Sequence, residues 1–527
     1  MKFKMFNREW VNRLFLIGLG ICLLVGLEFG LRLLDFGKEY DFVLEDETAH
    51  RGRACLNTQY IALHYFQHLP VNLDGLMKEH PWFSDTEFPI EKQPGAFRVF
   101  LVGASTTRGF PFEGRSINYS RFLEMVLKDV LPSRKIEVLN AGYDALSSFG
   151  VLDLTQKILE FSPDLVVVYT GHNEFIGHFG VNSNVNFGNQ RWVADMVTGL
   201  HNSRLFLTGE LVALKLRSRW KEEASHEGRV NLFRAMLSED HLSWGEDSHR
   251  IALAHYRQNL LQLVSDAKER GARVLIVNPA SNLRDFSPVL SLPDPRLTAS
   301  QVSNIEAWMA EGRVFLEQNR NDEARKLFLK VLQADSTHAH AHFYLARTYE
   351  ALRDVHRARQ EYRLAREFDK VHLRTCSAMQ EVVRKVGQQT GAAVLELEQV
   401  MEKVSPNGLV GSNFFLEHVH PNVNGHFVIA SSLARKIAEA GLPGDSASWD
   451  WSRLKMPRHY IANAGYDARQ FLNARYTIGR LLLDFPFFQC EEGEKVLAGI
   501  DHQEREQELI RSCRKNRKES QLAATRS

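Results

Sequence analysis

Five short, almost uninterrupted apolar runs constrain this chain more than any other feature. They are FRVFLVG (97–103), KIEVLNAG (135–142), PDLVVVYTGHNE (163–174), RVLIVNPA (273–280) and AAVLELEQV (392–400). A strand with one wet face alternates apolar and polar residues. These runs do not, so both of their faces are buried. Between them lie INYSRFLEMVLKDVL (117–131), VLDLTQKILEF (151–161) and RIALAHYRQNLLQLVSDAKERGA (250–272), whose apolar residues recur at helical spacing. Strands alternating with helices predict a five-stranded parallel sheet covered on both faces, a three-layer α/β class. Such sheets bind ligands at the carboxyl ends of their strands. Ser105, Gly142 and Asn173 all fall at or just past a run's end.

At 527 residues the chain exceeds one compact core, so two or three folding units are expected. Between the fourth and fifth runs a different pattern takes over. Gly312, Phe315, Ala324, Phe328, Val331 and Asp335 are matched 34 positions later by Ala346, Tyr349, Ala358, Tyr362, Ala365 and Asp369. Small, aromatic and turn positions repeating at that period are the tetratricopeptide signature. Two repeats cannot bury their stacking faces alone, so they must lean on flanking helices or on the α/β domain. His338, His340 and His342 alternate by two, whereas a helix gathers residues three or four apart. They read as a repeat's helix start rather than a metal site.

The N-terminus carries an uncharged apolar run from Leu14 to Leu27, and apolar helical character continues to Phe36 through Glu28 and Arg32. Those two charges sit four apart, where a helix lets them pair. From Leu14 to Leu34 a helix would rise roughly 30 Å, the hydrocarbon thickness of a bilayer. No small-x-small cleavage site follows, so a retained single span is expected rather than a signal peptide. Lys2, Lys4, Arg8 and Arg13 precede it, which places the N-terminus in the cytoplasm and the remainder outside.

Charge excludes one large class of partner. Lys+Arg number 65 and Asp+Glu 64, so nucleic-acid binding has no global electrostatic support. Cys22, Cys55, Cys376, Cys490 and Cys513 form no CxxC or Cys/His zinc pattern and no disulfide framework. A Cys490–Cys513 pairing stays open, and no metal or cofactor is expected.

Ester cleavage by serine needs a hydroxyl, a base to take its proton, and donors for the developing oxyanion. LVGASTT offers Ser105 where a strand turns toward a helix, and LNAGYDALSS offers the backbone N–H of Gly142. YTGHNEF offers the Asn173 amide, and FFLEHVHPNVNGH offers His420 as base with Glu417 three residues earlier to orient it. Each has a plain alternative: a helix N-cap for Ser105, a turn for Gly142 and Asn173, a core or surface histidine, a solvated glutamate. Their joint order at successive strand ends is what argues for chemistry. His172 and Glu174 either shape an acyl pocket or are structural. Arg108 either meets an anionic substrate or caps a helix. Asn282 and Arg284, in NPASNLRDFSP after the fourth run, are candidates for the substrate rim.

That order resembles the SGNH (GDSL-like) hydrolase superfamily. Its blocks read here as Gly103-Ala104-Ser105, Asn140-Ala141-Gly142, Gly171-His172-Asn173 and Glu417-His418-Val419-His420-Pro421. GASTTRGFPF and YTGHNEF look like a bacterial branch with an N-terminal span and tetratricopeptide repeats. The resemblance implies a flavodoxin-like sheet, Ser105 as nucleophile and His420 as general base. It also implies an oxyanion hole from the Ser105 and Gly142 N–H groups and the Asn173 amide. Ala104 and Glu417 stand where the family usually has Asp. Glu417 either orients His420 or points to solvent, leaving a Ser–His dyad.

The expected organisation is a membrane helix (11–36), a connector (37–95), a hydrolase domain in two parts (96–300 and 389–440) around a helical insertion (301–388), and a C-terminal helical extension with a basic tail (441–527). The expected activity is hydrolysis of an acyl ester, with a carbohydrate as one candidate carrier of the acyl group. The alternatives are acyl transfer to an envelope or exported polysaccharide, and a non-catalytic interaction protein. The repeats imply a protein or peptide partner, the anchor a membrane, and the basic tail solvated chain or contact with anionic headgroups.

Overall fold

The computed structural model describes residues 8–37, 41–45, 53–57, 60–61, 64–65, 88–112, 117–183, 189–220, 233, 236–237, 246–444, 448–500 and 503–524. Most of the expected connector, and Lys2 and Lys4 ahead of the apolar helix, lie outside these residues. The chain divides into two units. One takes in Met1–Leu44, Asn57–Pro81 and Gln190–Val230, and the other Glu45–Leu56, Trp82–Asn189 and Asn231–Ser527.

The larger unit is built on five parallel strands: β1 (Ala96–Gly103), β2 (Lys135–Gly142), β3 (Leu165–Tyr169), β4 (Arg273–Asn278) and β5 (Ala393–Glu396). Their spatial order is β2-β1-β3-β4-β5, so the sheet winds outward in both directions from β1. Gly103 lies opposite both Gly142 and Tyr169, which brings three carboxyl ends to one level. Helices Tyr119–Val130 and Val423–Glu439 pack together on one face. Helices Ser148–Ile158, Glu246–Glu269 and Ser377–Thr390 pack on the other. Val99 and Leu101 face the first pair, and no residue of Val99–Val102 has measurable exposure, as unbroken apolar runs require.

Two runs are shorter as strands than their apolarity suggests. PDLVVVYTGHNE pairs only over Leu165–Tyr169, because Gly171 turns the chain away with φ 130°, a left-handed value that favours glycine. AAVLELEQV is strand to Glu396 and then helix Leu397–Val404. Its Leu397 and Met401 sit four apart and are both buried, a helical spacing masked by the run's general apolarity.

The insertion is four helices, Ala299–Glu317, Asn321–Ala334, Ala339–Ala351 and Val355–Phe368, packed in succession. Its repeated positions build its core. A Cβ on Gly312 would lie 2.7 Å from the Phe328 ring, and Ala324, Ala346, Ala358 and Tyr362 are all buried. His338 caps a helix start by accepting the Ala341 N–H at 3.1 Å. The two repeats lean on the α/β layers through polar joints. Asp369 accepts the N–H groups of Val289 and Leu290 at 3.0 and 3.1 Å, and Arg366 pairs with Glu398 at 2.5 Å. The flanking segment 371–388 serves the sheet instead, since Ser377–Thr390 covers β4 and β5.

Within the described residues the C-terminal tail is helical to Ala524. Helix Gln503–Ala524 is bound by a Cys490–Cys513 disulfide and by Arg514–Glu494 and Arg517–Glu491 ion pairs of 2.6 and 2.8 Å. Arg514 stays exposed and Arg517 partly exposed while they meet carboxylates of the preceding helix, Cys490–Leu497.

In the smaller unit, helix Arg8–Leu33 contains a stretch, Asn12–Leu33, long and apolar enough to cross a membrane, with none of it buried. It is an N-terminal apolar helix of the kind found in anchors and signal sequences. Glu28 and Arg32 pair on it at 2.7 Å, as their spacing predicted.

Candidate active site

At the end of β1 the chain turns directly into a four-residue helix, Ser105–Arg108. Its last carbonyls are held by amides: Asn118 Nδ2 and Asn140 Nδ2 donate to the Thr107 carbonyl at 2.9 and 2.8 Å. Tyr119 Oη–H donates to Thr107 Oγ1 at 2.9 Å. These bonds hold the short helix that begins with Ser105 at the carboxyl edge of the sheet.

His420, expected as the base, arrives from a segment far along the chain. Residues 414–422 fold back on themselves, with the Leu416 N–H on the His420 carbonyl at 2.8 Å and the Asn422 N–H on the Phe414 carbonyl at 2.9 Å. Glu417 and His420 occupy the bend. One carboxylate oxygen of Glu417 accepts the His420 N–H at 2.9 Å and also meets His420 Nδ1; the other accepts the His418 N–H at 2.6 Å and meets His418 Nδ1. An ionised carboxylate can only accept, so Nδ1 of His420 carries the proton and Nε2 is the free base. Ser105 Oγ–H donates to that Nε2 at 2.7 Å, across 315 residues of sequence.

Burial pushes the His420 imidazole down to about 3, with Asp144 pulling upward and Arg108 downward. A resting neutral imidazole is what a general base requires. His418 is likewise held well below its ordinary value by burial, and His172 is pushed down to about 3.

Glu417, His418 and His420 also present ligand atoms within 4.8 Å of one another, a spacing that suits a cation. A cation there would displace the Nδ1 proton of His420 and break the bond that makes Nε2 the base. The arrangement is better suited to hydrogen bonding than to metal binding.

The other residues singled out in the sequence divide sharply. Gly142 is not a free donor, because its N–H is held by Asn140 Oδ1 at 2.9 Å. Its absent side chain matters instead. A Cβ there would lie 2.4 Å from the Arg108 nitrogen and 2.7 Å from the Thr107 carbonyl carbon, so glycine lets the serine helix sit on β2. Gly142→Ala should therefore shift that helix and lower turnover about a hundredfold while the fold survives. Unchanged kinetics in a stopped-flow ester assay would refute the close-packing role.

Asn173 is half-buried and donates to the Leu146 carbonyl at 3.2 Å, which uses one of its two amide protons. Glu174 is buried and anchored by hydrogen bonds. It accepts the Ser148 N–H and Oγ–H at 3.0 and 2.6 Å and the Thr170 hydroxyl at 3.1 Å, tying the loop after β3 to a helix start. Burial raises its pKa to about 7. His172 Nδ1 accepts from the Thr375 N–H and hydroxyl at 3.2 and 2.9 Å.

Both arginines pair with carboxylates. Arg108 is nine-tenths buried against Asp144, and Arg284 pairs with Glu350 of the repeats. Asn282 is buried, its N–H on the His418 carbonyl at 2.8 Å, which ties it to the 414–422 segment. Sequence reasoning missed His418, Asp144 and Thr375. The one available signal was HVH itself, a second histidine two before the base.

The buried histidines set an acid limit on the fold. His172, His340, His372, His420 and His426 are all lowered to about 3 by burial. Unfolded, each takes a proton near its ordinary value; folded, each refuses it until about 3. The unfolded chain binds more protons in that interval, so the histidines' contribution to stability is complete above about 6.5 and falls as pH drops toward 3. Each histidine contributes about 1.4 kcal/mol per pH unit. Glu174 runs the other way, its contribution full below its unfolded pKa and lost as pH rises through about 7. Urea midpoints should fall steeply between pH 6.5 and 4; a flat profile there would contradict these burials.

Residues 315–373 match the family model of the tetratricopeptide repeat. No curated protein matches the sequence. Among solved structures the chain is similar to the acetylxylan esterase Axe2 from Geobacillus stearothermophilus, at 12% identity over 66% of this chain and 96% of that one, with TM-score 0.29. It is also similar to LAE5, an alpha/beta hydrolase enzyme from the metagenome of Lake Arreo, at 11% identity over 65% and 95% with TM-score 0.28. A third is a protein from Desulfitobacterium hafniense assigned to the G-D-S-L lipolytic family, at 10% identity over 64% and 99% with TM-score 0.28. At these TM-scores the likenesses carry no argument about activity.

Proposed function

We propose that this chain is a membrane-anchored serine esterase of the SGNH type. The observation that carries the reading is the hydrogen-bonded series Glu417–His420–Ser105, with Ser105 Oγ 2.7 Å from a neutral imidazole nitrogen. Ser105 Oγ attacks the acyl carbonyl as His420 Nε2 takes its proton. Glu417 stabilises the imidazolium that forms, and that imidazolium then returns the proton to the leaving alcohol. Water, activated by the same imidazole, releases the acyl group from Ser105. The oxyanion is assigned to the Ser105 N–H and the second amide proton of Asn173.

The repeats are read as the docking surface for a protein or peptide. Arg8–Leu33 is read as a single span with the larger unit outside the cytoplasm. The Cys490–Cys513 disulfide supports that side, since such bonds persist in oxidising compartments.

Full-length protein in detergent should hydrolyse p-nitrophenyl acetate and be labelled at Ser105 by a fluorophosphonate. Both signals should vanish in Ser105→Ala. A folded wild-type chain that neither turns over the ester nor takes the label would end the esterase reading.

A further inference from the structure

Ester chemistry makes no use of helix Arg191–Leu200 in the smaller unit, which is apolar on two sides. Ala194 and Val197 are buried, while Trp192, Met196 and Leu200, spaced four apart, are exposed on the opposite side. Asp195 borders the exposed side and pairs with Arg191 at 3.4 Å. Three large apolar groups on one face of a ten-residue helix call for a partner.

The neighbouring contacts identify that partner. Arg32, in the last turn of the Arg8–Leu33 helix, donates from Nη2 to the Asn202 carbonyl at 2.8 Å. Glu28 accepts the Ser203 hydroxyl at 2.8 Å and the N–H groups of Arg204 and Leu205 at 3.2 and 2.9 Å, capping helix Arg204–Trp220. Arg204 pairs with Asp35 at 2.8 Å. The Arg191–Leu200 helix therefore ends two residues before a polar clamp set in the final turns of the apolar helix. Glu28 lies roughly 8 Å inside the Leu33 end at 1.5 Å per residue. Charged and polar groups are costly in hydrocarbon, so the clamp marks the boundary between headgroups and acyl chains, where amphipathic helices lie in plane and tryptophan is favoured.

We propose that helix Arg191–Leu200 lies in the bilayer surface at the Leu33 end of the span, with Trp192, Met196 and Leu200 among the acyl chains. The Arg191–Asp195 pair stays at headgroup level. This second membrane contact rests on the reading of Arg8–Leu33 as a span.

The test places p-benzoylphenylalanine singly at Met196, at Leu23 within the span, and at exposed Leu329 of the repeats. Each full-length protein is reconstituted in nanodiscs of phosphatidylethanolamine and phosphatidylglycerol, irradiated, and analysed for lipid adducts by mass spectrometry. Adducts are expected at Leu23 and Met196 and at least tenfold fewer at Leu329. Adducts at Leu23 alone would overturn the surface helix and leave the span standing. Adducts at neither would remove both. Equal adducts at Met196 and Leu329 would also overturn the proposal.

Discussion

Glu417→Gln should lower kcat on an acyl ester about ten-thousandfold with little change in KM. Three donors, the N–H groups of His418 and His420 and Nδ1 of His420, converge on the two oxygens of this one carboxylate. An amide offers a single oxygen and no charge. It can neither accept all three donors nor stabilise the imidazolium formed when Ser105 attacks. Fluorophosphonate labelling of Ser105 should slow in parallel, because that reaction needs the same proton transfer. Glu417→Asp keeps the charge on a shorter arm and should lose less. A Glu417→Gln enzyme within tenfold of wild type would mean that His420 is oriented by its backbone alone, as a dyad.

The second large effect is on stability and lies at the other edge of the sheet. Arg98 is fully buried near the amino end of β1, roughly 16 Å along the strand from Gly103 at 3.3 Å per residue. Its Nε pairs with Glu137 at 2.7 Å, and its two terminal nitrogens donate to the carbonyls of Phe161, Pro89 and Ile90 at 2.8, 2.7 and 3.2 Å. Arg98→Met would strand a buried carboxylate and three carbonyls, at a cost of about 3–5 kcal/mol. Denaturant midpoints should drop accordingly, while kcat per labelled Ser105 stays at the wild-type value. A loss under 1 kcal/mol would mean that water or chain relaxation replaces the arginine.

Much of the scaffold was legible because strand and helix periodicity is a local property. KIEVLNAG is a strand over its whole length, and the period of 34 marks residues that the repeats do bury. The catalytic candidates were legible as an order of strand ends, which topology then gathers on one edge. What the sequence did not show is a partner distant along the chain. Nothing near Arg108 or Arg284 announces Asp144 or Glu350, since a long cation pairs with whichever carboxylate the packing delivers. The N–H of Gly142, expected as an oxyanion donor, meets the side chain of Asn140, a contact of local backbone geometry that residue types alone do not announce.

The sequence by itself determined the three-layer class, the helical repeats and the apolar N-terminal helix, and it singled out Ser105, His420 and Glu417 as candidates. Tertiary structure alone decided that Glu417 faces His420 and His418 rather than solvent, and that Cys490 meets Cys513. Apolar spacing along the chain sets which residues leave water. Which buried polar groups then satisfy one another depends on how distant segments pack, and no local pattern encodes that.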